Sequence, residues 1–119
     1  GVRISLDDAP LPPKMKVVVT CKAEGMPDEV FEFNDKNTED GSPVYNWEIF
    51  YAKPTDIRNW QYRVDVTLAG PNVLAKKLKW AQEWKSGPGR GRNVLLGVSI
   101  PEIPEALYYQ AMEHLGIED

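Results

Sequence analysis

Strict alternation of apolar and polar residues is the feature that most constrains the fold of this chain. It is clearest over residues 60–68, WQYRVDVTL, and it recurs over residues 15–23, 29–33 and 44–52. In the first of these segments one side carries Trp60, Tyr62, Val64, Val66 and Leu68. Because successive side chains of a strand point to opposite faces, each segment predicts a strand with one buried face.

The connections between these segments are short and rich in turn-forming residues, as in EGMPD, NDKNTEDGSP and KPTDIRN. Such connections favour an antiparallel meander with one wet face. Val17, Val19 and Cys21 are expected on the buried face of the first strand. In the third strand, Val44 and Phe50 fall on the otherwise polar face, which suggests an apolar surface patch there unless another layer covers it.

The period changes in residues 72–85, NVLAKKLKWAQEWK. At 100° per residue its apolar side chains share one sector, which predicts an amphipathic helix beginning at Pro71–Asn72. In this helix Trp80 and Trp84 would face the core. A strand remains the alternative, because Leu78, Trp80 and Trp84 also fit a period of two.

The remaining segments complete the order of elements. Residues 93–101 predict an apolar strand, and residues 104–116 predict a helix with Pro104 in its first turn, His114 in its last turn and Gly116 as its cap. Residues 1–14 form a proline-rich extended lead-in, in which VRIS could add an edge strand.

The order β-β-β-β-α-β-α predicts an α+β fold, a mainly antiparallel sheet of four to five strands with two helices packed on it. The alternative is a seven-stranded β-sandwich, which requires that both residues 74–84 and VRIS be strands. A length of 119 residues suits one globular domain spanning 1–119.

Charge is distributed unevenly along the chain, whose formal net charge is −4. Residues 24–40 hold one cation, Lys36, among the carboxylates Glu24, Asp28, Glu29, Glu32, Asp35, Glu39 and Asp40. Residues 71–99 hold one carboxylate, Glu83, among the cations Lys76, Lys77, Lys79, Lys85, Arg90 and Arg92. The molecule therefore carries an acidic and a basic pole, unless the two segments face each other and cancel.

Catalytic constellations are hard to assemble from these residues. The chain has one cysteine and one histidine, Cys21 and His114, and no GxSxG motif. We expect Cys21 to be a buried, inert thiol and His114 to stabilise a helix C-terminus.

Ligand motifs are equally weak. In DKNTEDG the glycine falls one position later than a calcium-binding loop requires, so a polar hairpin loop is expected. Asp28 and the run Glu83-Trp84-Lys85 only superficially resemble the acids of a metal-dependent nuclease. GPGRGR lacks the spacing of a phosphate-binding loop and follows a predicted helix C-terminus. We therefore expect a non-enzymatic protein without metal or cofactor.

The hypothesis left by these exclusions is a macromolecule-binding module with a basic contact surface. That surface is predicted to comprise Lys76, Lys79, Lys85, Arg90 and Arg92. Aromatic and arginine residues commonly anchor interfaces, so the expected partner is a protein with an acidic surface. Single-stranded nucleic-acid binding and a structural or assembly role are the alternatives.

Two further expectations concern location. There is no apolar run of the ~20 residues that a membrane span needs, and no basic segment followed by an apolar one as in a secretory signal. A single cysteine cannot form an internal disulfide, which favours the cytoplasm.

Overall fold

The structure, a computed structural model, describes residues 1–48, 59–72, 74–88 and 93–116. Within these ranges the chain forms eight strands followed by one helical segment. The strands are β1 (Val2–Leu6), β2 (Met15–Ala23), β3 (Glu29–Asn34), β4 (Tyr45–Trp47), β5 (Trp60–Leu68), β6 (Leu78–Ala81), β7 (Lys85–Ser86) and β8 (Val94–Val98). A 3-10 turn, Glu105–Leu107, leads into α1, Tyr108–Leu115.

The strands form two sheets. The larger has the order β3-β2-β5-β6, with β7 also paired to β5, and the smaller has the order β4-β1-β8. All pairings are antiparallel except that between β1 and β8, which is parallel.

The two sheets bury one common apolar cluster between them. Trp47 of the smaller sheet meets Trp60 of the larger edge-to-face, with ring centroids 5.6 Å apart. The architecture is therefore a β-sandwich.

Alternation fixed the faces of the long central strands as predicted. In β2, Val17, Val19 and Cys21 are fully buried, and in β5 Val64 and Val66 are buried. In the β2–β5 register Val17 lies opposite Val66, and Val19 lies opposite Val64. Burying each valine side chain contributes about 1.5–3 kcal/mol, so a slip by one residue would be costly.

The α+β prediction is wrong, because residues 72–85 are not a helix. Asn72 does begin a turn, since its Oδ1 accepts the N–H groups of Leu74 and Ala75. The helix does not continue, because Leu78 and Trp80 are buried as members of β6, with Lys79 exposed between them. Leu74, which the helical pattern placed in the apolar sector, is 94% exposed.

The N-terminal segment also contributes more to the sheet and to the core than predicted. VRIS lies in β1, the central strand of the smaller sheet rather than an edge strand. Val2, Ile4 and Leu6 are buried there. Both conditions of the sandwich alternative, a strand at VRIS and one within 74–84, are thus met, although the described residues form eight strands rather than seven.

The third predicted strand is short among the described residues. Trp47 is buried and Asn46 exposed, as the alternation predicts. Val44 is 56% exposed, whereas Phe50, the other member of the predicted apolar patch, lies outside the described residues.

The C-terminal helix lies within the predicted range and ends at Gly116, which adopts a left-handed conformation with φ of 74°. Its residue Ala111 is fully buried. His114 Nε2 lies 2.8 Å from the carbonyl oxygen of Lys76, which ties the helix to the segment before β6. The second of the two predicted helices is the only one found in the described residues.

Candidate binding edge of the larger sheet

The two outer strands of the larger sheet carry opposite charge. One outer strand is β3, whose Glu29 and Glu32 are exposed, and the adjoining segments add exposed Asp28, Glu39 and Asp40. We call this the acidic edge. Lys79 of β6 and Lys85 of β7 lie at the opposite side of the sheet, and Lys76 precedes β6 by two positions. We call these three lysines the basic edge.

Three of the five predicted contact residues lie along the same side of the larger sheet, but they do not share a face, because Lys79 lies opposite Thr67 and Lys85 opposite Tyr62, five residues away on β5. Lys76, Lys79 and Lys85 are all exposed, and β6 and β7 both pair with the same strand, β5. Arg90 and Arg92, the other two predicted contact residues, lie outside the described residues.

A β-bulge separates β6 from β7. Asp65 pairs with Ala81 and Tyr62 pairs with Lys85, so two residues of β5 lie opposite three residues, 82–84. The N–H of Gln82 donates to the carbonyl oxygen of Val64 at 3.1 Å within this irregularity. A bulge of this kind exchanges the faces of the residues that follow it.

The bulge gives the two neighbouring tryptophans different environments. Trp80 is 6% exposed and donates its indole N–H to the carbonyl oxygen of Pro101. Trp84 is 36% exposed, and Lys22 Nζ lies 4.4 Å from the centroid of its ring. The prediction that both face the core is thus wrong for Trp84, since the period-2 and helical patterns alike contain no signal for a bulge.

The outer face of the larger sheet is polar along its length. Arg63 and Asp65 form an ion pair at 3.0 Å, and Lys16 and Glu32 form a looser one at 3.9 Å. Alternation had placed Arg63, Asp65 and Lys22 on this wet face. Sequence reasoning missed the Lys22–Trp84 contact, because it requires the cross-sheet register.

A groove opens between the basic edge and the end of β8. It has a volume of about 310 Å³. Its walls are formed by Tyr62, Gln82, Lys85 and residues 97–102. The Nε2 of Gln82 is buried without a hydrogen-bond partner among the described residues. Burial raises the pKa of Tyr62, with a further contribution from Cys21, so the phenol stays neutral.

The two candidate reactive side chains, Cys21 and His114, are both part of the packed structure. Cys21 is fully buried, and burial, with the charge of Glu29 adding to it, raises the pKa of its thiol to about 12. Such a thiol is a poor nucleophile. The His114 ring nitrogen Nε2 is engaged with the Lys76 carbonyl in the last turn of α1, at the position predicted for it.

The DKNTEDG segment forms a hydrogen-bonded turn. The hydroxyl of Thr38, which is fully buried, donates to the carbonyl oxygen of Asn34 at 2.6 Å and accepts the N–H of Leu11 at 2.9 Å. Asn34 and Asn37 exchange further bonds within the turn. The polar groups therefore stabilise a loop and hold it against the N-terminal segment, but the loop is not the predicted hairpin, because β3 and β4 belong to different sheets.

The acids of the nuclease-like pattern, already judged superficial in the sequence, lie far apart. Asp28 adjoins the acidic edge and Glu83 lies in the bulge at the other side of the sheet, so the two carboxylates are separated by the width of the sheet. Within the described residues, no group of three or more histidine, cysteine or acidic side chains could hold a metal ion.

No family model matches this chain, and neither does any curated protein or solved structure. Across the described ranges, no helix has the length and apolarity needed to cross a membrane.

Proposed function

We propose that this protein is a non-enzymatic binding module whose basic edge docks on an acidic surface of another protein. The observation that carries the proposal is the segregation of charge in the larger sheet. Lys76, Lys79 and Lys85 lie along one side, and the carboxylates of the acidic edge lie along the other.

Distance keeps the acidic edge from cancelling the charge of the basic edge, beside which Glu83 is the single carboxylate of residues 71–99. The strand order puts three strand spacings between the two edges, about 14 Å in all. Charges at the surface are screened over about 8 Å at physiological ionic strength. The lysines therefore present their charge to an approaching partner, which favours electrostatic steering.

Trp84 adds an apolar contact next to these charges. Its ring is partly exposed and contacts Lys22, and Lys85 is the next residue along the chain. A tryptophan flanked by cations is typical of the residues that anchor protein interfaces. The proposal assigns no cofactor and no catalysis, since the Cys21 thiol is buried and protonated. We place the protein in the cytoplasm, where a single thiol stays reduced.

Charge reversal tests the proposal directly. Lys76→Glu and Lys79→Glu, singly and together, should weaken binding to fluorescent poly-glutamate, and the double variant should do so by at least about tenfold. Lys36→Glu is the matched control, because it makes the same charge change beside the acidic edge. Its affinity should equal that of the unmodified protein, and the thermal midpoints of all variants should be nearly unchanged.

Two results would count against the proposal. One is an equal loss of affinity in Lys36→Glu, which would indicate a response to net charge alone. The other is an unchanged affinity in the double variant, which would remove the basic edge from the contact.

Single-stranded nucleic-acid binding is the second candidate, favoured by the exposure of Trp84. An aromatic ring beside cations could stack a base while the lysines follow the phosphates. A labelled oligonucleotide titrated at two salt concentrations tests this candidate, because phosphate contacts make affinity fall steeply with salt, and no binding at the lower salt concentration excludes it. This candidate would be favoured if the protein bound the oligonucleotide more tightly than it binds a poly-glutamate of the same charge.

A further inference from the structure

The turn that follows β3 contains the pair Asp40–Gly41. Among all aspartate and asparagine residues of the sequence, Asp40 is the single one that is followed by glycine. In such a pair the amide nitrogen of the glycine can attack the side-chain carbonyl carbon of the aspartate and close a cyclic imide. Glycine favours this reaction because it has no Cβ to hinder the attack and leaves the backbone free to bend. The pair is therefore the first candidate in this chain for such a reaction.

The carboxylate of Asp40 is free to take part. Asp40 is exposed, and within the described residues its side chain forms no hydrogen bond or ion pair. By contrast, Asp35 Oδ2 accepts the N–H of Lys14. The side-chain oxygens of Asn34 and Asn37 each accept a backbone N–H within the turn. Asp40 is therefore the aspartate of this turn that can rotate towards the amide that follows it.

The amide nitrogen of Gly41 is also accessible. The glycine is exposed and has a φ of 113°, and no atom beyond its chain neighbours lies within 4 Å of the position that a Cβ would take. Its N–H donates to the carbonyl oxygen of Thr38 at 3.2 Å, which is the long end of the range for such a bond. A bond of this length opposes the attack only weakly, so ring closure needs little rearrangement of the turn.

The turn is anchored to the N-terminal segment on both sides of this pair. The Thr38 hydroxyl oxygen accepts the N–H of Leu11 at 2.9 Å, and the Ser42 hydroxyl oxygen accepts the N–H of Leu6 at 2.7 Å. The chain between Thr38 and Ser42 therefore has a set length, with Asp40 at its middle. A change of backbone length at Asp40 would displace at least one of the two hydroxyl groups from its amide.

We propose that Asp40 is a site of spontaneous isomerisation to isoaspartate, with water as the reactant. The Gly41 nitrogen bonds to Cγ of the protonated Asp40 carboxyl group, and the displaced hydroxyl leaves as water with the amide proton. A second water molecule then adds to the main-chain carbonyl carbon of the ring. The bond from this carbon to the Gly41 nitrogen breaks, and the nitrogen takes up a proton. The main chain then runs through the side chain of Asp40 and is longer by one methylene group, with no oxidant or reductant consumed.

Peptide mapping of the full chain after incubation at neutral pH and physiological temperature tests this site. The tryptic peptide that begins at Asn37 should separate into two forms of equal mass, and electron-transfer fragmentation should locate isoaspartate at position 40. If the incubation, but not the digestion, is carried out in water labelled with heavy oxygen, the isoaspartyl form should gain a single heavy oxygen atom, because ring closure removes one oxygen atom and hydrolysis returns one. Absence of isoaspartate at position 40, while a free peptide of residues 37–43 isomerises, would show that the fold protects the pair and would overturn the proposal.

Two variants check that ring closure is responsible. Gly41→Ala adds a side chain beside the attacking nitrogen and should slow isomerisation by at least about tenfold. Asp40→Glu keeps the charge but requires a larger ring, and it should give no rearranged product. The internal control is Asp65, which pairs with Arg63 and precedes Val66. Equal amounts of isoaspartate at positions 40 and 65, or an unchanged rate in Gly41→Ala, would mean that the open turn does not direct the reaction.

The isomerised protein also tests the two anchors of the turn. Isoaspartate keeps a carboxylate, so the net charge is unchanged, and this inference stands or fails apart from the proposed binding function. Hydrogen exchange should be faster by about fivefold at the amide of Leu6 or of Leu11, because a hydroxyl acceptor has been displaced. Unchanged exchange at both amides would show that the turn absorbs the extra methylene group and would contradict the anchored turn.

Discussion

The acidic and basic edges of the larger sheet differ in regularity as well as in charge. On the acidic side, β3 pairs with β2 through six consecutive residues. On the basic side, β6 and β7 pair with β5 through four and two residues, with a bulge between them. Regular pairing keeps the β3 side chains in alternation, whereas the bulge redirects Trp84 and Lys85. The irregular edge is the one that supplies the candidate binding groups.

The two edges are also anchored by different means. β7 is followed by Gly87, whose N–H donates to the carbonyl oxygen of Trp60 at 2.8 Å, and the Trp60 indole donates to the carbonyl oxygen of Pro88. The turn after β3 is anchored by the buried hydroxyl of Thr38. The basic edge is thus held by close packing on an aromatic ring, and the acidic edge by a buried polar contact.

The largest effect is expected from Gly87→Ala. A Cβ at this position would overlap the indole of Trp60, which is only 1% exposed and cannot move aside. We expect the free energy of unfolding to fall by about 3 kcal/mol, measured by urea denaturation. Gly97→Ala is the control, because the atoms nearest to its Cβ belong to the exposed side chain of Asp7, which can rotate. Equal stability of the two variants would contradict the packed anchoring of the basic edge.

An intermediate effect is expected at the acidic edge. Thr38→Val keeps the shape of the side chain but leaves the N–H of Leu11 without its acceptor, at a cost of about 2 kcal/mol. Thr38→Ser keeps the hydroxyl and should lose less. Thermal or urea unfolding of both variants measures the difference, and a valine variant at least as stable as the serine variant would show that the hydroxyl is not the anchor.

The smallest effect concerns the contact between Lys22 and Trp84. In a double-mutant cycle with Lys22→Gln and Trp84→Leu, we expect a coupling free energy of about 0.5 kcal/mol, because the pair is partly exposed. A parallel cycle with Lys16→Gln should give no coupling, since Lys16 lies beside Glu32 instead. Equal coupling in both cycles would mean that Trp84 responds to general charge and not to Lys22.

Much of the sheet structure was predictable from local patterns. The buried faces of β2 and β5 followed from alternation, because the preference of each side chain for water or the core does not depend on which strand pairs with it. The C-terminal helix was predictable from Pro104 and Gly116, whose backbone preferences act locally.

The candidate site was predictable only in part. Charge along the sequence identified Lys76, Lys79 and Lys85, which the fold gathers at one edge. The groove with Gln82 was not predictable, because it depends on which strands become neighbours. Trp84 was misplaced because its exposure depends on one extra residue opposite β5.

By itself, the sequence determined which faces of the central strands are apolar and that the two charge clusters lie far apart along the chain. The tertiary structure alone decided that residues 78–81 are a strand and that the described members of the two charge clusters occupy opposite edges. The physical reason is that Leu78 and Trp80 fit a helical and an extended period equally well. Pairing with β5 satisfies the backbone groups of this segment while burying both side chains, and that pairing is a long-range contact which no local pattern contains.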